Sequence, residues 1–480
     1  MLQGTSSHVG KSILTSALCR IFYREGLKVT PFKAQNMALN SFVTVDGLEI
    51  GRAQAAQAQA ACIEPSADMN PVLLKPTGNS TSQVIINGKA VANMSAAEYH
   101  RGYSLKAFDA VKSALNRLDK EFEMIVIEGA GSPAEINLKD NDIANMRVAK
   151  YLNSPVLLVA DIDRGGSLAS IVGTLALLDD DERDLIKGVI INKFRGDINL
   201  FTPAVDFLEK KTGKPIIGVV PFIDNIGIDD EDSVSLDDKN NTSYEGDINI
   251  FVIRTPKISN FTDFDSLIAE NDINLKYISK PEELINADLI IIPGSKNTAE
   301  DLKYLRSSGF AEKIIQLAKS DTAIAGICGG FQMLGEKIID TYHTESDNDF
   351  VNGLNLLPIT TFFAQKKLTT QINIEVVDFN FLNSHIQSNN LHGYEIHAGV
   401  TDTKLKVVSN ANILGTYIHG IFDNDDFRLK FLNAIRLHKG LKPKEHTLNI
   451  NLLKQNNFNR LADVVHNSLN FELLNKIIGL

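Results

Sequence analysis

Three cysteines in 480 residues, Cys19, Cys62 and Cys328, are too few and too irregularly spaced for a disulfide framework or a zinc site. A reducing compartment follows, and the cytoplasm is the expected location. No apolar run approaches the roughly 18 residues of a membrane span, and no signal peptide opens the chain, so no membrane partner is expected. Positive charge is also short. Lys and Arg number 48 against 59 Asp and Glu, a net charge of −11, which argues against general nucleic-acid binding. An acidic substrate would have to be met by a local cationic pocket.

What remains is the composition of a globular protein, 44% apolar and 22% charged. The length is too great for one ordinary core, so at least two domains are expected. Apolar runs of four to six residues alternate with helical patterns, which predicts α/β domains with parallel, doubly wound sheets. The composition changes at Asp229–Asp232 and Asp237–Asn241, which are acidic, polar and without apolar period. We place a synthetase domain at 1–225, an acidic linker at 226–246, a second α/β domain at 247–450 and a helical tail at 451–480.

The first domain opens on Gly4-Thr5-Ser6-Ser7-His8-Val9-Gly10-Lys11-Ser12. Glycines turn backbone N–H groups inward onto anionic oxygens, and the helix starting near Lys11 aims its positive end at the same anion. Lys11 would reach the outer phosphates of a nucleotide and the Ser12 hydroxyl would ligate Mg²⁺. Five residues, Thr5 to Val9, separate Gly4 from Gly10-Lys11-Ser12, one more than the standard phosphate loop. That longer form occurs in dethiobiotin-synthetase-like ATPases.

Other residues fall at the carboxyl ends of predicted strands, where open α/β sheets place ligand contacts. Lys33 could meet a phosphate or a substrate carboxylate. Glu128 ends the apolar strand Met124–Ile127 and would hold Mg²⁺ opposite Ser12. Asn192 could bond an adenine edge. Glu49 to Cys62 reads as one Ala/Gln-rich helix whose glutamines are hard to explain as core.

In the second domain a strand runs into Gly326-Ile327-Cys328-Gly329-Gly330 and a helix. This is a nucleophile elbow: small neighbours permit the strained turn that exposes the side chain, and the start of the helix favours the thiolate. Such a nucleophile needs a base. His392, His397, His419 and His438 lie downstream. His419 ends a predicted strand, Leu414–Ile418, and is the choice. His392 and His397 read as structural and His438 as surface.

These strings resemble the cobyric acid synthase family of the corrinoid (vitamin B12) pathway along nearly the whole chain. The carriers are Gly4–Ser12, Pro31–Met37, Glu49–Gln54, Asn70–Pro76, Glu128–Ser132, Pro293–Thr298 and the elbow at Cys328. The resemblance implies a dethiobiotin-synthetase-like ATP domain with a phosphate loop, followed by a class I glutamine amidotransferase domain. It implies ATP, Mg²⁺, glutamine as ammonia donor, and amidation of the b, d, e and g carboxylates of a corrinoid, adenosylcobyrinic acid a,c-diamide. By position, Cys328 would be the glutaminase nucleophile and His419 its base, with the Gly294 and Gly329 backbones as oxyanion donors. Ser12, Glu128 and Glu49 would form the Mg²⁺ shell, and Asp142 would matter for amidation. One departure stands out. Class I enzymes usually carry Glu two residues after the His, and here that position is Ile421, so a Cys–His dyad without an orienting acid is expected. The nearest rival is the sister amidation of the a and c acetates. A more distant one is an ATP-switch scaffold with a decayed glutaminase domain.

Overall fold

The computed structural model describes residues 1–78, 80–224, 226–228 and 246–480. The expected linker therefore lies almost wholly outside the described residues. The chain divides into two compact units, one of Met1–Ala38, Ile50–Ile228 and Lys454–Leu480, the other of Leu39–Glu49 and Asp229–Leu453.

The first unit is built on parallel strands. Leu2–Gly4, Val156–Asp161, Ile186–Phe194 and Ile216–Pro221 pair in that order. Val29–Phe32 pairs with Met124–Ile127, and a parallel bridge from Leu2 to Glu128 links the two groups. The register sets Gly4, Phe32, Ile127 and Asp161 at neighbouring strand ends, so the loops that follow converge on one edge. The helix Lys11–Arg24 follows the first loop and buries Leu14, Ala17, Leu18 and Ile21, the period-3.6 stripe that its sequence predicts. The C-terminal residues do not form a separate tail. Phe458, Leu461, Ala462 and Val465 join the apolar cluster that covers that helix, and Asn470 N–H donates to the Ile217 carbonyl at 2.7 Å.

The second unit carries a six-stranded sheet: Ile273–Ile278, Ile248–Ile253, Leu289–Ile292, Ala323–Ile327, Ile413–Thr416 and Val407–Asn410. The first five strands are parallel and the last antiparallel. A long antiparallel hairpin, Thr360–Phe381 with Ser384–Thr401, belongs to the same unit. Arg428 is fully buried and holds the segment that follows His419. Its guanidinium pairs with Glu270 at 2.9 Å and donates to the Phe422 carbonyl at 2.9 Å. Stripping one partner from a buried pair costs about 3–5 kcal/mol. Arg428→Met should therefore lower the stability of this unit by about that much in denaturant titration; a loss below about 1 kcal/mol would contradict the anchoring role.

Candidate active site

In the second unit the strand Ala323–Ile327 ends at Cys328, whose φ of 51° and ψ of −106° lie outside the comfortable regions. The turn closes because Gly330 packs where a Cβ would come within 1.9 Å of the Ile292 carbonyl oxygen. Cys328 N–H donates to the Thr416 carbonyl at 2.8 Å, and its Sγ lies 3.7 Å from the Ile396 carbonyl. Gly294 and Gly329 come to the same place. A Cβ on Gly294 would meet His419 Cε1 at 3.4 Å, and one on Gly329 would meet Ser295 N at 2.9 Å. Both glycine backbones thus border the Cys–His pair with no side chain in the way.

His419 is buried, and so is the partner that sequence reading missed. Asp263 Oδ2 lies 2.7 Å from His419 Nδ1, and Asp263 Oδ1 accepts the Gly420 N–H at 3.0 Å. The ionised carboxylate is an acceptor only, so Nδ1 must carry the proton. Nε2 is buried with no hydrogen-bond partner among the described residues, and Cys328 lies near enough to act on the ring's charge. Burial works against the charged ring, but Asp263 and then Cys328 outweigh it and lift the His419 pKa to about 10. The expectation that His419 lacks an orienting acid is corrected: Asp263 fills that place. The acid comes from the 3-10 turn Phe261–Phe264 rather than from two residues past the histidine, and Ile421 at that position is core. The sequence signal was a lone acid in a buried Phe-Thr-Asp-Phe run.

His438 is exposed, as expected; His392, expected to be structural, is exposed as well. His397 stacks on Tyr417 with ring centroids 3.7 Å apart, and its Nδ1 lies 2.6 Å from the Gly399 carbonyl.

In the first unit the phosphate loop surrounds Lys11, whose ammonium donates to the Ser6 and Gly131 carbonyls at 3.1 Å each. A Cβ on Gly4 would lie 2.7 Å from the Ser6 carbonyl oxygen and 2.7 Å from Lys11 Nζ, so glycine keeps this loop closed around the ammonium. Gly10 caps the helix at a φ of 93°, where glycine alone is at ease. Glu128 is buried and collects three donors. Ser12 Oγ and Lys33 Nζ reach Oε1 at 2.9 Å each, and Gln57 Nε2 reaches Oε2 at 2.6 Å. Asn192 Nδ2 donates one of its two hydrogens to the Val9 carbonyl at 2.8 Å and so braces the loop. It borders a cavity of about 70 Å³ whose walls include Gly10, Leu14, Val220, Pro221 and Leu461.

Glu49 and Asp142 are each held by other groups. Glu49 belongs to the second unit, where Ser41 Oγ donates to one carboxylate oxygen at 2.8 Å and Lys367 Nζ to the other at 2.7 Å. The expected single helix from Glu49 breaks because Glu49–Gly51 is a strand, and the helix is Arg52–Ala60. Asp142 spends its carboxylate on the backbone N–H groups of Ala144 and Asn145, at 3.0 Å each. Asn145 in turn clamps both backbone groups of Ala130, at 3.1 and 2.6 Å. Asp142 thus supports the turn after Glu128, and burial raises its pKa against those hydrogen bonds.

The Mg²⁺ expectation passes a donor test. Ser12 Oγ and Glu128 offer oxygen ligands, and the Gln57 Oε1 beside them is buried with no hydrogen-bond partner. No cluster of three or more His, Cys, Asp or Glu suited to an ion occurs among the described residues. An ion here would therefore lean on phosphate oxygens, as Mg²⁺ usually does.

Residues 1–235 match the family described as CobQ/CobB/MinD/ParA nucleotide binding domain, and residues 249–427 the CobB/CobQ-like glutamine amidotransferase domain. A cobyric acid synthase of Desulfitobacterium hafniense is 50% identical over 100% of this chain and 98% of its own. Those of Moorella thermoacetica and Dehalococcoides mccartyi are each 49% identical over 100% of this chain, and over 97% and 98% of their own. No helix among the described residues is long and apolar enough to cross a membrane. With identity at this level along its full length, the chain belongs to the cobyric acid synthase family.

Proposed function

We propose that the chain is a glutamine-hydrolysing, ATP-dependent amidoligase that converts the b, d, e and g carboxylates of adenosylcobyrinic acid a,c-diamide to amides. The observation that carries this reading is the buried Cys328–His419–Asp263 set on a strained elbow, coupled in one chain to a phosphate loop.

A carboxylate resists ammonia because its carbonyl carbon is already electron-rich. Transfer of the terminal phosphoryl group of ATP to a carboxylate oxygen gives an acyl phosphate and ADP. Attack by ammonia then forms the C–N bond and expels phosphate. The loop backbone at 4–10 and the Lys11 ammonium suit the phosphate chain. Ser12 and Glu128 would hold Mg²⁺, which when bound supplies charge neutralisation to the phosphates. Lys33, now on Glu128, is a candidate to meet the incoming carboxylate.

Ammonium in water near neutral pH lacks a lone pair to attack with, so free ammonia must be made on site. Thiolate Cys328 attacks the side-chain amide carbon of glutamine. The oxyanion forms against the backbones at Gly294 and Gly329, and His419 Nε2–H gives its proton to the departing ammonia. A thioester remains. His419, neutral at Nε2, then takes a proton from water as water attacks, and glutamate leaves.

The test is a mass spectrum of the a,c-diamide after incubation with ATP, Mg²⁺ and glutamine. Four successive acid-to-amide shifts are expected. An unchanged a,c-diamide, with cobyrinic acid gaining two amides instead, would move the assignment to the sister reaction.

A further inference from the structure

The helix Arg52–Ala60 reads Arg-Ala-Gln-Ala-Ala-Gln-Ala-Gln-Ala and is almost entirely buried. Alanine fills its other inner positions, yet Gln54 and Gln57 are both 0% exposed. They stand three residues apart, on one face. Gln54 Oε1 accepts from Asn36 Nδ2 at 2.9 Å, while its Nε2 has no hydrogen-bond partner. Gln57 Nε2 lies 2.6 Å from Glu128 Oε2 and 3.4 Å from the Ser12 carbonyl oxygen, and its Oε1 is likewise buried and unpartnered. Burying half of an amide unsatisfied weakens a fold, and an apolar side chain would avoid that cost. A polar group kept at such a cost marks a functional site.

We propose that Gln57 is a positioning residue of the metal–phosphate site. Its Nε2 ties the Glu128 carboxylate to the first turn of the helix that carries Ser12. Its Oε1 is the spare acceptor for a water of the hydrated ion. Lys33 and Ser12 both load Oε1 of Glu128, so Gln57 is the donor on the Oε2 side. Without it the carboxylate can rotate about its last bond, and the two ligands that would share one ion lose their fixed relation. Groups that orient ligands in this way set metal affinity by about 10–100-fold. The inference rests on the nucleotide reading above.

The experiment is equilibrium ATP binding to the full chain, by titration calorimetry, once with Mg²⁺ and once with EDTA. Gln57→Leu and Gln57→Met both remove the donor; Met, unbranched and of similar length, keeps the helix filled. The thermal unfolding profile of the full chain, which includes the first unit, checks that each variant is folded. The expected result is a loss of about tenfold or more in affinity with Mg²⁺ and none with EDTA. Equal affinity to wild type in both conditions would overturn the inference, and so would equal loss in both, which is what mere packing would give. A wild-type chain that binds no ATP in either condition would overturn the nucleotide reading and this inference with it.

Discussion

Cys328→Ala is expected to reduce glutamine-dependent amidation by roughly 10⁶-fold, the scale on which acyl-transfer sites fail when the nucleophile goes. Amidation with added ammonium salt should stay within about twofold of wild type at the same free-ammonia concentration. The division follows from chemistry. In the proposed scheme Cys328 acts only on the glutamine side-chain amide, and the acyl phosphate is made by groups of the other unit, Lys11, Ser12 and Glu128. Alanine removes one sulfur from a site already enclosed by the Ile396 carbonyl and the elbow glycines, so folding should survive. Initial rates with each nitrogen source, on the same preparation, decide the matter. A folded variant that also loses ammonium use would show that the thiol serves both half-reactions, and the scheme above would fall.

The second large effect is expected at Asp263. In Asp263→Asn the Gly420 N–H still needs an acceptor, so the new amide should turn its oxygen there and its NH₂ toward His419 Nδ1. The histidine must then carry its proton on Nε2, facing Cys328, where it cannot take the thiol's proton. The same substitution in a serine-based triad costs about 10⁴-fold through the wrong tautomer, and a loss of about 10³–10⁴ in glutaminase kcat is expected here. The pH profile separates this from simple damage. Asp263 helps to hold the His419 pKa up at about 10, so its loss lowers the pKa, and the cationic ring should disappear at lower pH in the variant than in wild type. The activity that remains should shift its pH dependence in that direction. An unshifted profile, or a loss below tenfold, would make Asp263 a packing residue.

Much of both sites could be read from local strings, because loops that wrap phosphate and elbows that present a nucleophile need short, contiguous patterns. Gly4 to Ser12, Lys33, Glu128 and Cys328 each sit at the end of an apolar run, and strand ends gather on one edge of a parallel sheet. Asp263 could not be found that way. It meets His419 across 156 residues, and no periodicity couples a 3-10 turn to a distant strand end. The strand Glu49–Gly51 is hidden because the Ala/Gln run beginning at Arg52 has helical propensity that bleeds backwards across Gly51, and because the Glu49 carboxylate finds Lys367 318 residues away. The hairpin Thr360–Thr401 was missed for another reason. Its burial alternates only in places, so the period-2 signal of a half-buried strand is weak. The helical period of the C-terminal segment is legible in Leu461, Val465 and Leu469, but an apolar face does not state which surface covers it.

That last feature bears on how the protein comes into being. Residues from Lys454 onward complete the unit that begins at Met1, and they supply Leu461 to the cavity wall beside the phosphate loop. On a ribosome the intervening stretch takes on the order of tens of seconds to emerge. Until it has, the nascent nucleotide unit lacks part of its apolar cover. The unit bearing Lys11 thus gains the last of its apolar cover only after the unit bearing Cys328 has been translated.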